Sequence, residues 1–384
     1  MRFFTSKKNR PTTNTLLKTD DKKSRVRFHE LTIKDVRRET SECISVAFEV
    51  PEKLQSEYSF FPGQYLTLRT TIGGEDIRRS YSICSSPLDE DLRVAIKKLE
   101  GGKFSSFAND ELAAGQTIQV MTPEGNFHTP IREDNKKVYV AFAAGSGITP
   151  IMSIMKTVLE IEVNSKFILF FGNRTTNSII FRDEIDALKN IYMNRLEVHH
   201  ILSREDQGSD TTKGHIDQEK CSVFAKTFFD PSDVDEFFIC GPELMIRNVD
   251  NALQELNVPR EKVHFELFTT SSSEIVAADT SKSSAHKGNA AGTSEVTVIL
   301  DGEETHFTLA YDGDNVVNAA TEAGADVPFS CKGAVCCTCR AKVIEGEVEM
   351  DMNYALEPEE VDDGYILTCQ SHPRSPVVKI SYDA

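Results

Sequence analysis

Four cysteines constrain this 384-residue chain more than any other feature. Cys331, Cys336 and Cys339 lie within Ser330-Cys-Lys-Gly-Ala-Val-Cys-Cys-Thr-Cys-Arg340, and Cys369 follows after a gap of twenty-nine residues. C-x4-C-x2-C with a distant fourth cysteine is a spacing by which four thiolates hold a [2Fe-2S] cluster. A loop wrapped around such a cluster must turn sharply, and Gly333 is expected to supply that freedom while small neighbours let amide N–H groups face the sulfurs. Two plainer readings compete: a structural zinc site, and cysteines that merely pack. Zinc motifs pair C-x2-C with a second C-x2-C or with two histidines, and no second pair follows here. Cys337 has no place in the pattern and reads as a small loop residue.

The other four of the nine cysteines are scattered. That distribution favours a metal site in a reducing cytoplasm over a secreted disulfide scaffold. The length allows two or three domains, each with its own core. The N-terminus lacks the apolar stretch of a signal peptide, and no apolar run of about eighteen residues occurs, so neither secretion nor membrane insertion is expected. The formal net charge is −17, and residues 295–384, with 18 acidic against 5 basic residues, account for −13 of it. An acidic surface of this kind repels nucleic acid and suits a basic protein partner; a solvated acidic face is the plainer alternative.

Residues 1–25, with eight basic and two acidic residues, show no periodicity and read as a disordered basic tail. The block 26–131 alternates apolar and polar residues in short runs: Val26–Ile33, Cys43–Val50, Gln64–Thr70, Ser80–Cys84, Leu92–Lys98 and Thr117–Met121. That pattern predicts a small antiparallel β-barrel, interrupted by a helix over Phe104–Leu112. Three features stand out in it: Pro62-Gly63-Gln64, Arg79-Ser80-Tyr81-Ser82 and Gly101-Gly102-Lys103-Phe104-Ser105. Arg79 can balance a diphosphate, Tyr81 offers a ring face and a hydroxyl to a planar ligand, and Ser82 can bond a ring heteroatom. Gly101 and Gly102 stand before a helix, where their amides and the helix N-terminus would cradle a phosphate.

Residues 132–268 change period. Val138-Tyr-Val-Ala-Phe-Ala-Ala-Gly-Ser-Gly-Ile-Thr-Pro150 is a buried strand entering a glycine turn and then a helix over Ile151–Ile161. Strands at Phe167–Phe171, Leu196–Leu202 and Glu236–Cys240 alternate with helices near Phe181–Ile191 and Glu243–Leu256, which predicts a doubly wound parallel α/β sheet. Ligands of such sheets bind at the carboxyl ends of the strands. Three loops fall there: Gly145-Ser146-Gly147 through Thr149 and Pro150, Ser203-Arg204, and Cys240-Gly241-Pro242. Pro150 replaces the third glycine of the dinucleotide fingerprint, and Thr149 is expected to cap the helix. Arg204 stands where a ribose 2′-phosphate would fall, an exposed surface arginine being the alternative.

Residues 269–294, rich in Ser, Ala and Gly with no aromatic residue, read as a flexible linker. Residues 295–384 then predict a hairpin (Glu295–Leu300 and Thr305–Leu309), a helix (Asn315–Ala323), the cysteine loop and closing strands to Tyr382, an α+β ferredoxin module of the β-grasp type.

With these motifs in order, residues 26–268 resemble the ferredoxin-NADP reductase superfamily. Arg79-Ser-Tyr-Ser82 and Gly101–Ser105 match its flavin motifs; Ala144–Pro150 and Cys240-Gly-Pro242 match its pyridine-nucleotide motifs. Residues 295–384 resemble plant-type ferredoxin, with Asn353-Tyr-Ala-Leu-Glu-Pro358 among the matching stretches. Reductase followed by ferredoxin is the order found in oxygenase reductases. Ala334 and Cys337 stand where such reductases commonly have glycine and alanine or serine.

The resemblance implies an oxidoreductase with FAD rather than FMN, a [2Fe-2S] cluster and NADPH as electron donor. It places Glu266 and Phe268 beside the isoalloxazine, and NADPH along Gly145–Pro150, Arg174, Ser203 and Arg204 with Cys240 and Gly241 near the nicotinamide. Hydride is expected to reach a flavin held by Tyr81 and Ser82, and single electrons then pass to Cys331, Cys336, Cys339 and Cys369. The implied acceptor is a di-iron oxygenase that epoxidises the ring of phenylacetyl-CoA in phenylacetate catabolism. The alternatives are another hydroxylase or desaturase with the same cofactor chain, and a redox sensor whose cysteines bind zinc or form disulfides.

Overall fold

The computed structural model describes residues 27–268 and 292–384. They fall into two compact units, one holding the residues up to Glu75 and Tyr81–Phe265, the other Asp76–Ser80 and the residues from Glu266 onward. The tail expected over 1–25 and most of the linker expected over 269–294 lie outside the described residues. No described helix is long and apolar enough to cross a membrane.

The alternating pattern folds into β1 (Phe28–Thr40), β2 (Cys43–Glu49), β3 (Tyr65–Ile72), β4 (Glu75–Ser82), β5 (Leu92–Lys97) and β6 (Thr117–Met121), with β4 starting five residues before the strand expected at Ser80–Cys84 and ending two residues before its end. They form one sheet in the order β4-β3-β6-β1-β2-β5. An antiparallel bridge between Ile83 and Val94 joins its two edges and closes the barrel. Leu31, Val46, Leu66, Leu68, Val94 and Val120 are fully buried, each worth about 1.5–3 kcal/mol of transfer free energy. β1 continues past Ile33, its expected end, through a register shift between Ile33 and Asp35 that bends the strand. Helix α1 (Lys103–Glu111) begins one residue earlier than predicted.

The tripeptide Pro62-Gly63-Gln64 serves the fold. Gly63 has φ +102°, and a Cβ there would collide with the Phe127 carbonyl oxygen. The Gln64 side chain accepts from the Phe61 N–H at 2.9 Å and donates to the Gly125 carbonyl at 3.2 Å. Its own carbonyl accepts from the Ile83 N–H at 2.8 Å, which fixes the chain just after β4.

The α/β half of this unit runs β7 (Val138–Ala144), α2 (Ile148–Ile161), β8 (Lys166–Asn173), α3 (Arg182–Ile191), β9 (Leu196–Leu202), α4 (Gln218–Thr227), β10 (Glu236–Gly241), α5 (Glu243–Glu255) and β11 (Val263–Leu267). The sheet order is β11-β10-β7-β8-β9, with β7 parallel to β8 and β10, and β8 parallel to β9. The chain leaves β7 to one side and returns through β10 on the other, so the switch point lies between β7 and β10. Helix α4 and strand β11 are additions to the expected set. α4 buries only Cys221, Phe224 and Ala225, too few for a clear helical period, and is started by Asp217, whose carboxylate accepts from the Lys220 N–H at 2.8 Å. Barrel and sheet are stitched through α2: Ser153 Oγ donates to the Ser85 carbonyl at 2.6 Å, and Ser86 Oγ meets Thr157 Oγ1 at 2.9 Å.

The second unit comprises β12 (Thr293–Leu300), β13 (Glu303–Ala310), α6 (Val316–Glu322), β14 (Arg340–Glu345), β15 (Val348–Met350), α7 (Pro358–Asp362), β16 (Tyr365–Leu367), β17 (Ser371–Pro373) and β18 (Val377–Ser381). The main sheet has the order β13-β12-β18-β14-β16, with β15 and β17 forming a separate ribbon. β18 lies parallel to β12 and antiparallel to β14, the mixed arrangement of a β-grasp module. Because β12 starts at Thr293, residues 293–294, expected in the linker, are strand. Asn315, expected inside the helix, is its cap: its side chain accepts from the Asn318 N–H at 3.0 Å. Val296, Val316, Val317, Leu367, Val378 and Ile380 form the core behind the cysteine loop.

Candidate functional site

The barrel gathers the first set of predicted residues at β4 and α1. Arg79, Tyr81 and Ser82 lie on β4; Arg79 is exposed, Tyr81 half-buried and Ser82 buried. The Tyr81 ring lies 5.6 Å from that of Phe104, which joins strand to helix. Arg79 Nη1 donates to the Arg78 carbonyl at 2.7 Å, leaving the rest of its guanidinium fork in solvent. Gly101 takes φ +72°, and a Cβ on Gly102 would stand 2.5 Å from Ser105 Oγ. The expectation that Gly102 offers its amide to a phosphate needs correction, since that N–H donates to the Leu99 carbonyl at 3.1 Å. Ser105 Oγ is occupied as well, accepting from the Leu99 N–H at 3.1 Å. The amides that a phosphate can take are those of the first helical turn, Lys103, Phe104 and Ser105, which no α-helix bonds internally.

At the switch point, Gly145 has φ +54° and starts a 3-10 turn, Gly145–Gly147, ahead of α2. A Cβ on Gly147 would fall inside contact distance of the Cys240 carbonyl and 2.8 Å from the Gly241 nitrogen. The two loops therefore meet backbone to backbone, with Cys240 fully buried beneath them. Thr149 is not the cap that was expected: Gly147 holds that position, and Thr149 Oγ1 donates back to the Ser146 carbonyl at 2.9 Å. Pro150 fits the first turn as predicted. Pro242 is the N-cap of α5. Arg174 and Arg204, both exposed, follow the adjacent strands β8 and β9, and the Arg204 N–H donates to the Arg174 carbonyl at 2.8 Å. The Ser203 N–H likewise donates to the Asn173 carbonyl at 2.9 Å. Lys97, at the end of β5, was not anticipated; its Nζ lies 3.6 Å from where a Cβ of Gly145 would be and brings a barrel cation to the glycine turn. No motif spacing marks it. Glu266 lies near the end of β11 and Phe268 just beyond it, both half-buried.

The second unit brings all four predicted ligands together. Cys336 donates to Cys331 Sγ at 3.1 Å, well beyond the roughly 2.0 Å of a disulfide, and Cys369 is hydrogen-bonded to Cys331 and Cys339. Cys336, Cys339 and Cys369 are buried; Cys331 is half-buried. The Cys331 thiol is held well below the usual range, first by the Cys336 and Cys369 donors and then, against burial, by the amides of Gly333 and Val335. Thr368 ties the two arms: its N–H and its Oγ1 reach the Cys339 carbonyl at 3.1 and 2.9 Å. Four converging sulfurs, one already favoured as thiolate and served by backbone N–H groups, fit a thiolate-held [2Fe-2S] cluster. Cys337 turns away, its Sγ donating to the Ala355 carbonyl at 3.3 Å, as its place outside the pattern predicted.

The sharp turns of this loop do not fall at Gly333, where they were expected. Lys332 (φ +50°) and Ala334 (φ +63°) carry them, one on each side. Ala334 is fully buried in a left-handed conformation that disfavours a side chain. Ala334→Gly should relieve about 1–2 kcal/mol of left-handed strain against about 0.4–1 kcal/mol of added unfolded-chain freedom and about 0.8 kcal/mol for the lost buried methyl, so the stability of the second unit should change by less than about 1 kcal/mol. A loss of about 2 kcal/mol or more for that unit would refute the strain.

Comparison with known proteins decides the family. Residues 30–129 match an oxidoreductase FAD-binding domain, 142–251 an oxidoreductase NAD-binding domain, and 298–374 a 2Fe-2S iron-sulfur cluster binding domain. A relative from Escherichia coli (strain K12), one of the subunits of 1,2-phenylacetyl-CoA epoxidase, is 40% identical over 93% of this chain and 98% of its own length. The chain belongs to the ferredoxin-NADP reductase superfamily, among the oxygenase reductases that carry a [2Fe-2S] domain. This reductase is also 35% identical to the ferredoxin reductase component of 3-ketosteroid-9-alpha-monooxygenase from Rhodococcus rhodochrous, over 92% of this chain and 96% of that one. Phthalate dioxygenase reductase, at 20% identity and a TM-score of 0.55 over 92% of this chain and 98% of its own, shares the fold. The reductase thus uses FAD, a nicotinamide nucleotide and a [2Fe-2S] cluster, and passes electrons to an oxygenase component.

Proposed function

We propose that this reductase draws its electrons from NADPH and delivers them to a di-iron oxygenase that epoxidises the aromatic ring of phenylacetyl-CoA. Arg174 and Arg204 carry the nucleotide choice. The two exposed guanidiniums stand at adjacent strand ends, and neither has an ion-pair partner among the described residues. The nearest acid in sequence, Glu205, is engaged elsewhere, accepting from the N–H and Oγ1 of Thr176 at 2.7 Å each. Two free arginine forks suit a dianionic 2′-phosphate, with Ser203 completing the grip. Gly145, Ser146, Gly147, Thr149 and Pro150 would carry the nucleotide diphosphate, and Cys240, Gly241 and Pro242 would border the nicotinamide.

Tyr81 and Ser82 would hold the flavin ring, Arg79 and the first-turn amides of Lys103, Phe104 and Ser105 its diphosphate. Glu266 and Phe268 would lie beside the ring, Phe268 giving way as the nicotinamide stacks. Bound FAD supplies the exchange between a two-electron hydride donor and a one-electron acceptor. Cys331, Cys336, Cys339 and Cys369 would hold the cluster that receives single electrons. None of the nine cysteines is joined in a disulfide, which suits the reducing cytoplasm proposed for this chain.

Arg204→Ala should raise KM for NADPH about 10- to 100-fold, the equivalent of one charge-assisted hydrogen bond of roughly 1.5–3 kcal/mol, and leave KM for NADH within twofold. Equal losses for both nucleotides would remove the 2′-phosphate role. The acceptor assignment rests on the 40% identity that extends over nearly the whole of the epoxidase relative. Its test is reconstituted turnover with the phenylacetyl-CoA oxygenase beside a steroid hydroxylase, the second reading favoured by the 35% relative. The −13 balance of residues 295–384 should make the rate with the true acceptor fall as ionic strength rises. A rate insensitive to salt rules out electrostatic steering.

A further inference from the structure

Gln370 follows the fourth cysteine and is 7% exposed. A buried carboxamide costs about 1–3 kcal/mol unless it is hydrogen-bonded, and leucine would fill the same space without that demand. Its nitrogen has three acceptors: the Cys369 carbonyl at 3.0 Å, the Lys332 carbonyl at 3.3 Å and Cys369 Sγ at 3.7 Å, the last within reach of an N–H···S bond. Lys332 is one of the two left-handed residues of the cysteine loop. Its ammonium is anchored separately, 2.6 Å from Asn318 Oδ1 and over the Phe329 ring at 4.3 Å. The Gln370 backbone is fixed too, since its carbonyl accepts from the Asp351 N–H at 2.9 Å. One side chain thus links the turn after the first ligand to the sulfur of the fourth.

We propose that Gln370 is a positioning residue for the cluster: its carboxamide donates to the Cys369 thiolate, braces the Lys332 turn against it, and so raises the electron affinity of the site. This rests on the four-cysteine ligand assignment. Reduction adds negative charge to the sulfurs, and an N–H dipole aimed at one of them stabilises the reduced form more than the oxidised form. Neither the spacing of the cysteines nor any motif of the chain assigns this role.

The test uses the full-length protein with both cofactors. In Gln370→Leu and in the isosteric Gln370→Glu, the oxidised-to-reduced ratio of the cluster at fixed potential should rise about tenfold, a fall of 59 mV for a one-electron couple, while the flavin potential stays in place. An unmoved cluster potential in a loaded Gln370→Leu protein overturns the proposal. Wild-type protein labelled with 15N on its glutamine side chains gives a reading that needs no variant. Gln370 is the only glutamine in residues 292–384, so a 15N coupling to the reduced cluster in pulsed EPR is its signature. A normal [2Fe-2S] signal without that coupling overturns this proposal alone; wild-type protein with no [2Fe-2S] signal overturns the ligand assignment and this proposal with it.

Discussion

Cys369→Ser should strip the cluster's visible and EPR bands from the protein and halt oxygenase turnover, while reduction of the flavin by NADPH proceeds at its usual rate. Cys369 is 3% exposed, on a 3-10 turn, Thr368–Gln370, that Thr368 pins to Cys339. A buried hydroxyl there has neither the softness nor the acidity of a thiolate, and the remaining three sulfurs cannot complete the set. The loss of coupled turnover should exceed about 100-fold, since the cluster is the one-electron carrier between flavin and oxygenase in the proposed path. Cys337→Ser is the matched control. Its thiol faces the Ala355 carbonyl rather than the other sulfurs, so the full spectrum should survive. A colourless Cys337→Ser protein, or a Cys369→Ser protein that keeps a normal cluster, would show the ligand set to be wrong.

The second large effect belongs to Gly147→Ala. Gly147 has φ −61°, which any residue adopts, so the substitution tests contact alone. The new methyl would lie inside contact distance of the Cys240 carbonyl, with the Gly241 nitrogen 2.8 Å away. Backbone on both sides cannot step aside as a side chain can, so the turn must lift from the end of β10. Overpacking of this kind costs about 1–3 kcal/mol, and at about 2–4 °C per kcal/mol the first unit should lose several degrees in Tm. KM for the nicotinamide nucleotide should rise at least about tenfold, since a 1.4 kcal/mol loss in the shared crevice already suffices. Gly241→Ala should be milder in stability, because its tightest contact is Met245 Cε, the end of a flexible chain. Equal stability of Gly147→Ala and wild type would show that the two loops do not close on each other.

The layout of both units was legible because each signal was local. Period-2 alternation gave the barrel, apolar runs broken by glycine turns gave the parallel sheet, and thiolate spacing gave the cluster loop. The failures share a cause as well. α4 and β11 bury too little of their surface to leave a clear period. Thr149 and Gly102 looked available for capping and phosphate binding, yet local turns had already taken their hydrogen-bonding groups, each donating to the carbonyl three residues back. Lys97 and Gln370 gain their neighbours only through the fold, the first across from β5 to the glycine turn, the second across thirty-eight positions to Lys332. The left-handed turns at Lys332 and Ala334 could not be read at all, because composition points to the glycine between them.

The placement of β18 sets a timetable for assembly. Its strand is central to the sheet of the second unit, and Glu295 of β12 pairs with Val377, 82 positions later. On the ribosome every cysteine of the loop is therefore made before the strand that completes its platform. Pairing over so long a separation is slow. Iron and sulfide delivered early would meet four thiols on an unfinished chain, so productive loading must wait until β18 has emerged and inserted between β12 and β14.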